Sequence, residues 1–295
     1  MRLLNFEQLS RRCELPECSQ RRTRWRAWLD PAVGYTLHGH WYCSVECLEQ
    51  ALKVAIIAAL PGNAPEQPAP HRVPLGLLML SRGMVDGEQL KKALKAQKES
   101  GSGRVGEWLR HMGIVNEEQV TQVLGLQWSV PVFPLGKSQR YTEYAHLVPL
   151  PLLEVAVMVP VHHVANTQSL YIAFVDRINY SALVAVEKVL ECHTEPCVAL
   201  QSQVLSALNE LRRRPGPIEM VAGVGTPADI AAVISTRCME HGVTGVKVSG
   251  FDGCVWARLS SPAGHTDLIF NRTASLEDAT RQTEVLPPPP SVIEP

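Results

Sequence analysis

A stretch of 24 residues occurs twice in this chain, and this repeat constrains the fold more than any other feature. The first copy runs from Pro74 to Gln97 and the second from Arg104 to Gln127, so equivalent positions are thirty residues apart. Self-similarity at a fixed spacing indicates one supersecondary unit used twice, with the copies packed on each other. Seven pairs are identical in one ungapped register: Gly76 and Gly106, Gly83 and Gly113, Val85 and Val115, Glu88 and Glu118, Gln89 and Gln119, Leu94 and Leu124, and Gln97 and Gln127.

Each copy is predicted to form a short helix, a turn at a glycine and a second helix. Gly83 and Gly113 stand where the first helix would end in a left-handed conformation, which glycine adopts without steric cost. Asp86 and Asn116 are N-cap residue types, and glutamates follow them in the first turn of the second helix. The sequence therefore predicts two helical hairpins in tandem.

Beyond the repeat the apolar pattern changes from helical to alternating, which is typical of strands. Strands are predicted over 155–164, 169–176 and 194–200, and helices over 181–192, 201–212 and 227–241. Residues 244–249 and 254–259 are expected to form a hairpin that turns at Asp252-Gly253. The expected fold class is α+β, with a small zinc module, tandem helical hairpins, a small α/β subdomain and a short α/β C-terminal segment.

Prolines mark the expected domain boundaries. Residues 61–73 contain four prolines and are interpreted as a linker, because so many prolines cannot sustain a helix or a central strand. The expected domains are a zinc-binding module (1–60), a domain of the two repeats and an α/β part (74–214, with repeats at 74–97 and 104–127 and the α/β part at 128–214), a truncated α/β segment (218–272) and a disordered proline-rich tail (273–295).

The overall charge excludes a strongly basic protein. With 28 basic against 29 acidic side chains the net charge is −1, so the whole chain has no general attraction for nucleic acid or anionic membranes. No stretch reaches the ~18 to 20 apolar residues that a bilayer span needs, and the N-terminus lacks the pattern of a signal peptide. We therefore expect a cytoplasmic protein without a membrane span, in a reducing compartment.

Four of the eight cysteines have the spacing of a metal site. Cys13 and Cys18 form one close pair and Cys43 and Cys47 a second, and four thiolates suit the tetrahedral coordination of Zn²⁺. The second pair lies where a short predicted strand runs into a helix. We expect a structural zinc site that resembles a zinc ribbon or a treble clef, the alternative being buried free thiols.

Motifs of nucleotide hydrolysis and of common hydrolases are missing. The sequence has no G-x-x-x-x-G-K-[ST] phosphate loop, no G-x-S-x-G elbow and no H-E-x-x-H helix. We therefore predict a protein that is not an enzyme. Arginines around Trp25 and Trp28 form a basic patch with stacking surfaces, which leaves nucleic-acid binding as a second function to consider.

The repeat and the α/β sequence after it resemble the N-terminal domain, of the MshEN or GspE-N type, of type II secretion and type IV pilus assembly ATPases. The likeness covers about residues 72–213 and includes HLVPLPLL at 146–153 and SLYIAFVD at 169–176. The family pattern is Arg-Leu-Gly, an aliphatic position, a glycine and then a helix that ends in Ala-Leu and Gln, given twice. The sequence contains no counterpart of the ATPase core.

In many members of that family the tandem motif binds cyclic di-GMP. One departure here is Pro74, which stands where the first motif has its arginine, although Arg72 could supply that charge from two residues earlier. The alternative is a repeat that serves only packing and docking. By resemblance, the ligand would contact Leu75, Gly76, Met79, Leu94 and Gln97 of the first copy, and Arg104, Val105, Gly106, Leu109, Leu124 and Gln127 of the second.

The resemblance implies a non-catalytic regulatory or adaptor protein of a bacterial secretion or type IV pilus system. Its partners would be platform or ATPase proteins of that system, and its ligand cyclic di-GMP. The competing function is a zinc-containing regulator that binds nucleic acid through the N-terminal arginines and tryptophans.

Overall fold

A computed structural model describes residues 12–18, 34–60, 72–137, 141–213, 218–221 and 225–271. The helices, numbered in chain order, are α1 (Val45–Ala59), α2 (Leu75–Ser81), α3 (Gly87–Ser100), α4 (Val105–His111), α5 (Glu117–Trp128), α6 (Tyr141–Ala145), α7 (Leu150–Ala156), α8 (Tyr180–Leu190), α9 (Gln201–Arg212) and α10 (Pro227–Glu240). The strands are β1 (Tyr35–Leu37), β2 (His40–Tyr42), β3 (Met158–Val164), β4 (Ser169–Phe174), β5 (His193–Val198), β6 (Ile218–Val221), β7 (Gly245–Phe251), β8 (Cys254–Ser261) and β9 (Gly264–Asn271).

This mixture of helices and small sheets confirms the predicted α+β class. Among the described helices, none has the length and apolar character needed to cross a membrane. The patch around Trp25 and Trp28, most of the expected linker and all of the expected tail lie outside the described residues.

The chain forms two compact units, each assembled from more than one segment. The first unit contains the described parts of residues 1–66, 180–193 and 215–274. The second unit contains the described parts of residues 67–179 and 194–214.

One sheet of the first unit joins strands from distant parts of the chain, in the order β2-β1-β7-β8-β9-β6. β1 pairs with β7 in parallel, with Leu37 opposite Val246, and β7, β8 and β9 are antiparallel neighbours. α1 and α10 pack against each other, and α1 also contacts β1 and β7. Leu48 and Leu52 of α1 share one hydrophobic core with Ile234 of α10 and Phe270 of β9.

This sheet differs from the expectation that residues 1–60 form a module of their own. Two strands of three residues each and one helix cannot enclose a core, so β1 and α1 cover the residues 225–271 instead. The described part of the segment 218–272 lies in one compact unit with the described parts of residues 1–66 and 180–193. Helix α8, which was expected inside the domain 74–214, lies against β7 of the first unit.

The predicted hairpin of β7 and β8 is confirmed, with Phe251 opposite Cys254 around the turn at Asp252-Gly253. Strand β9 has no counterpart among the predicted strands, because Asp267 interrupts its apolar pattern. In the structure Asp267 is only 4% exposed and accepts bonds from Nε and Nη2 of Arg258 at 2.8 and 2.7 Å. A partner on the neighbouring strand therefore makes a buried charge compatible with a central position in the sheet.

In the second unit the repeat forms two helical hairpins, as predicted: α2 with α3, and α4 with α5. Gly83 and Gly113 both have a φ of 67°, in the left-handed region. Asp86 and Asn116 accept hydrogen bonds from the backbone of the glutamine three residues later, at 2.7 and 2.8 Å. The copies exchange partners, since α3 packs against α4 and α5 against α2.

The α/β part of the second unit follows the hairpins and contains a sheet in the order β3-β4-β5. The strand predicted to begin at residue 155 is helical up to Ala156, and β3 starts at Met158 after Val157, whose φ is 46°. Strand β4 ends at Phe174, which brings the polar residue Asp176 just beyond the end of a buried strand.

Gly250 tests the packing of α1 on β7. A Cβ atom at Gly250 would lie 2.5 Å from the carbonyl oxygen of Ala59, at the end of α1. Because that oxygen belongs to the backbone, Gly250→Ala should force α1 to move and lower the free energy of unfolding by about 1–3 kcal/mol. The measurement is urea denaturation of the whole chain.

The control for this substitution is Gly225→Ala, whose added Cβ would meet nothing within 4 Å. It should change the free energy of unfolding by no more than about 0.5 kcal/mol. Equal and small effects of the two substitutions would contradict the close approach of α1 to β7.

Candidate ligand and metal sites

The four cysteines of the predicted metal site come together in the first unit. The Sγ atoms of Cys18 and Cys43 are 3.6 Å apart, and Sγ of Cys47 lies 3.8 Å from each of them. With Cys13 included, all four sulfur atoms lie within 4.8 Å of one another. Zn–S bonds of ~2.3 Å in a tetrahedron place sulfurs about 3.8 Å apart. The cluster therefore has the donor atoms and the spacing to hold a metal ion.

Local structure brings these cysteines together. Cys43 follows β2, and Cys47 lies in the first turn of α1, where its backbone N–H donates to the N-cap residue Ser44 at 3.4 Å. The segment that carries Cys13 and Cys18 is attached by the Glu14 N–H, which donates to the Trp41 carbonyl at 3.0 Å. Burial raises the pKa of the Cys43 and Cys47 thiols, so four adjacent thiolates would need a cation among them.

Arg104, the candidate ligand residue with a positive charge, lies at the N-cap of α4. Its Nη1 atom is 3.1 Å from Oδ2 of Asp176, which follows β4. Burial raises the pKa of Asp176, and the positive charge of Arg104 opposes that rise. The ion pair fixes a guanidinium and a carboxylate side by side, both of them partly accessible.

Trp128 connects this ion pair to Arg72. The indole N–H of Trp128, at the end of α5, donates to the backbone carbonyl of Asp176 at 3.3 Å. The guanidinium carbon of Arg72 lies 3.6 Å from the centre of a Trp128 ring, which is a close cation–π contact. Although Pro74 occupies the arginine position of the first motif, Arg72 thus places a cation against the ring of Trp128.

The final glutamine of each copy of the repeat donates a hydrogen bond to the backbone just before the start of the other copy. Nε2 of Gln97 donates to the carbonyl of Gly103 at 2.8 Å, one residue before Arg104. Nε2 of Gln127 donates to the carbonyl of Val73 at 2.7 Å, one residue before Pro74. These equivalent bonds fix the entry of each hairpin and leave less of either amide for a ligand.

The apolar candidates divide into buried and accessible residues. Met79 and Leu109 are 0% exposed and Leu124 is 7% exposed, which places all three in the core of the hairpins and not at a ligand surface. Leu94 is 48% exposed, and Leu75 and Val105 are half-buried. The accessible apolar surface is therefore smaller than the family motif implies.

The two motif glycines are buried where helices meet. A Cβ atom on Gly76 would lie 2.6 Å from a methyl group of Leu90, and one on Gly106 would lie 3.0 Å from a methyl group of Leu75. Leu75 of the first copy thus packs directly on the second copy. Glycine at these two positions therefore permits close helix packing, with or without a role in ligand binding.

The sequence predictions omit Trp128 and include Asp176 only as the end of a predicted strand. The glutamines of the repeat recur at equivalent positions of both copies, whereas the counterpart of Trp128 in the first copy is Lys98, so Trp128 is not part of the repeated pattern. Only the fold brings it beside Asp176.

Comparison with known proteins finds similarity over about half of the chain. No family model matches. The chain is 27% identical over 158 residues to the type IV pilus assembly ATPase PilB of Myxococcus xanthus (strain DK1622), which covers 53% of this chain and 27% of PilB. The expected resemblance to this class of ATPases is confirmed over that part of the sequence, and the chain spans about a quarter of the length of this relative.

Solved structures of related proteins are also similar to about half of the chain. A structure of MshE with cdg has 26% sequence identity and a TM-score of 0.42, covering 47% of this chain and 99% of that one. The N-terminal domain of XpsE has 18% identity and a TM-score of 0.35, covering 48% of this chain and 94% of that one.

Gln127→Ala tests the bond between the end of the second copy and the start of the first. Loss of the bond to the Val73 carbonyl should lower the free energy of unfolding of the second unit by about 1 kcal/mol. Gln122→Ala, an exposed position on the same helix, is the matched control and should have an effect within about 0.5 kcal/mol. Denaturant unfolding of both variants measures the difference, and equal values would show that the bond contributes nothing.

Proposed function

We propose that this chain is a regulatory or adaptor protein of a secretion or type IV pilus system, and that its tandem hairpins bind cyclic di-GMP. The observation that carries the proposal is a chain of contacts that runs from Arg72 to Trp128, from Trp128 to Asp176, and from Asp176 to Arg104. Arg72 and Arg104 lie at the starts of the two repeats, Trp128 follows the end of the second, and Asp176 follows β4, so a ligand there would contact both copies. The sequence similarity to PilB supports the cellular setting.

The two guanidinium groups suit the phosphates of such a ligand. Arginine binds a phosphate through paired, charge-assisted hydrogen bonds, and a half-exposed guanidinium retains free N–H groups for it. Arg104 has 49% of its side chain exposed, so a phosphate can approach without unfolding α4. A dinucleotide with two phosphates accounts for two separate arginines.

Asp176 suits the guanine base. The ring N–H and the amino group of guanine are adjacent donors, and an ionised carboxylate is an acceptor with two oxygens. Leu75, Leu94 and Val105 provide accessible apolar contacts of the kind that a base edge or face requires. The proposal therefore assigns the ligand of the MshE structure, cdg, to this chain as well.

Arg104→Ala should weaken the binding of cyclic di-GMP at least about tenfold. The reason is that a hydrogen bond to a charged group contributes ~1.5 kcal/mol, and the substitution removes it. Arg72→Ala should have a similar effect, because it takes the place of the missing first-motif arginine. Calorimetric titration of the full chain measures both. Arg82→Ala, an exposed arginine at the C-cap of α2, is the control and should bind as the unaltered chain does.

Absence of binding heat with the unaltered chain, together with no rise of its melting temperature at saturating cyclic di-GMP, would overturn the ligand assignment. The repeat would then serve packing and docking alone. Unchanged affinity in the Arg104→Ala variant would remove this residue from the site.

In this proposal the chain is a binding module of the cytoplasm and not an ATPase. The phosphate loop that hydrolysis requires has no counterpart in residues 1–295. Regulation would consist of ligand-dependent docking to platform or ATPase proteins of the same system.

The proposal also assigns a structural Zn²⁺ to Cys13, Cys18, Cys43 and Cys47. Four thiolates close the coordination sphere of zinc and leave no open position for a substrate. When bound, the ion would connect residues 12–18 to β2 and α1. Because β1 and α1 belong to the sheet and core of residues 225–271, the ion would also stabilise those residues.

Removal of zinc by a chelator, or Cys43→Ser, should abolish the metal content and lower the hydrogen-exchange protection of β7, β8 and β9 as well as of α1. The reason is that metal binding to a site absent from the unfolded chain contributes directly to folding. The measurements are elemental analysis and amide exchange by mass spectrometry.

Cys238→Ala is the control, since Cys238 is buried in the same core but lies outside the cysteine cluster. It should keep the full metal content. Loss of protection confined to residues 12–60 after metal removal would show that the expected separate module exists after all.

A further inference from the structure

Helix α3 has a face of lysines at its surface. Lys91, Lys95 and Lys98 are spaced by four and three residues, and Leu94 lies on the same side of the helix. All three lysines are exposed, and Leu94 is 48% exposed in their midst. We call these four residues the lysine face. Lys92, also exposed, lies beside it.

The equivalent face of the second copy is covered by its own unit. Thr121 and Leu124, the counterparts of Lys91 and Leu94, are only 4% and 7% exposed. Gly125, the counterpart of Lys95, is so close to the next segment that a Cβ would lie 3.0 Å from the carbonyl oxygen of Val130. The two copies thus have the same backbone fold but different surfaces on their second helices. In the second copy this face is packed inside the unit, and in the first copy it is exposed and basic.

The charge of the lysine face is largely uncompensated within the described part of the chain. Lys95 lies 3.7 Å from Glu99, and with side chains 76% and 66% exposed such a pair contributes little. No ion pair joins Lys91, Lys92 or Lys98 to another described residue. Lys91, Lys92, Lys95 and Lys98 against the exposed Glu88 and Glu99 leave a net charge of +2 on this part of α3, although the net charge of the chain is only −1.

We propose that the lysine face docks on the surface of an anionic lipid membrane. Lysine ammonium groups are mobile point charges, which suit a dense layer of phosphates that has no fixed geometry. Leu94 can enter the boundary between headgroups and acyl chains while the lysine stems extend around it. The arrangement is a peripheral, reversible contact that needs no insertion of a helix.

The composition of the lysine face favours lipid over the other anionic surfaces. Specific recognition of carboxylates in a protein partner typically uses arginine, which binds them in a bidentate manner, and the face has none. Binding of single-stranded nucleic acid uses aromatic side chains for stacking on bases, and the face has none of these either. An aliphatic side chain among lysines matches a lipid headgroup layer.

The test is cosedimentation of the full chain with phosphatidylcholine vesicles that contain or lack phosphatidylglycerol. The unaltered chain should sediment only with the anionic vesicles, and less at high salt, because screening weakens contacts between exposed charges. The triple variant Lys91→Gln, Lys95→Gln, Lys98→Gln should lose roughly a hundredfold in partitioning, about fivefold for each lysine. Leu94 is left unaltered because it is also a candidate ligand contact.

A charge-matched control removes three positive charges elsewhere: Lys53→Gln, Lys188→Gln and Arg213→Gln, all exposed or partly exposed. It should sediment with anionic vesicles as the unaltered chain does. Thermal unfolding of all three proteins confirms that they fold alike.

Three results would overturn the proposal. One is that the unaltered chain fails to sediment with anionic vesicles. Another is that the lysine variant and the charge-matched control behave alike. The third is that the unaltered chain binds a duplex oligonucleotide or polyglutamate but not the vesicles, and that the lysine variant no longer binds that polyanion. The last result would assign the face to nucleic acid or to an acidic protein.

Discussion

Each hairpin of the repeat buries its apolar face only because the other copy covers it. A single pair of short helices such as α2 and α3 is too small to enclose a core, so Met79 and Leu109 reach full burial through the exchange of partners between copies. The glutamine bonds from Gln97 to Gly103 and from Gln127 to Val73 complete this reciprocity at the surface. The position of every candidate ligand residue depends on it, since the copies must stay in register for the two motifs to face one ligand.

The first unit depends on a comparable closure between distant segments. β1 is three residues long and would not persist alone, but it pairs with β7, which begins more than two hundred residues later in the chain. The cysteine cluster holds the segment before β1 against the start of α1. A metal ion at this point would therefore act on a whole discontinuous core, and not on a small independent finger.

The two copies of the repeat show how one scaffold can carry different surfaces. The cap residues, the glycine turns and the final glutamines are retained in both copies, because they fix the backbone of the hairpin. The outer face of the second helix is under no such constraint. In the second copy this face is small at Gly125 and packs inward, whereas in the first copy it carries Lys91, Lys95 and Lys98.

The sequence by itself determined the α+β class, the two helical hairpins with their caps, the β7–β8 hairpin and the grouping of four cysteines in one cluster. These features follow from local patterns, in which turn residues, cap residues and apolar periodicity act over a few positions. The sequence did not determine that residues 34–60 share a sheet with residues 245–271, that α8 belongs to the first unit, or that Asp267 lies in a strand.

Nor did it show that Arg72, Trp128, Asp176 and Arg104 meet, or that Met79 and Leu109 are enclosed. Only the tertiary structure decided these points. Each of them depends on which distant surface covers a residue, and burial and charge pairing between distant segments leave no periodic signal in the chain.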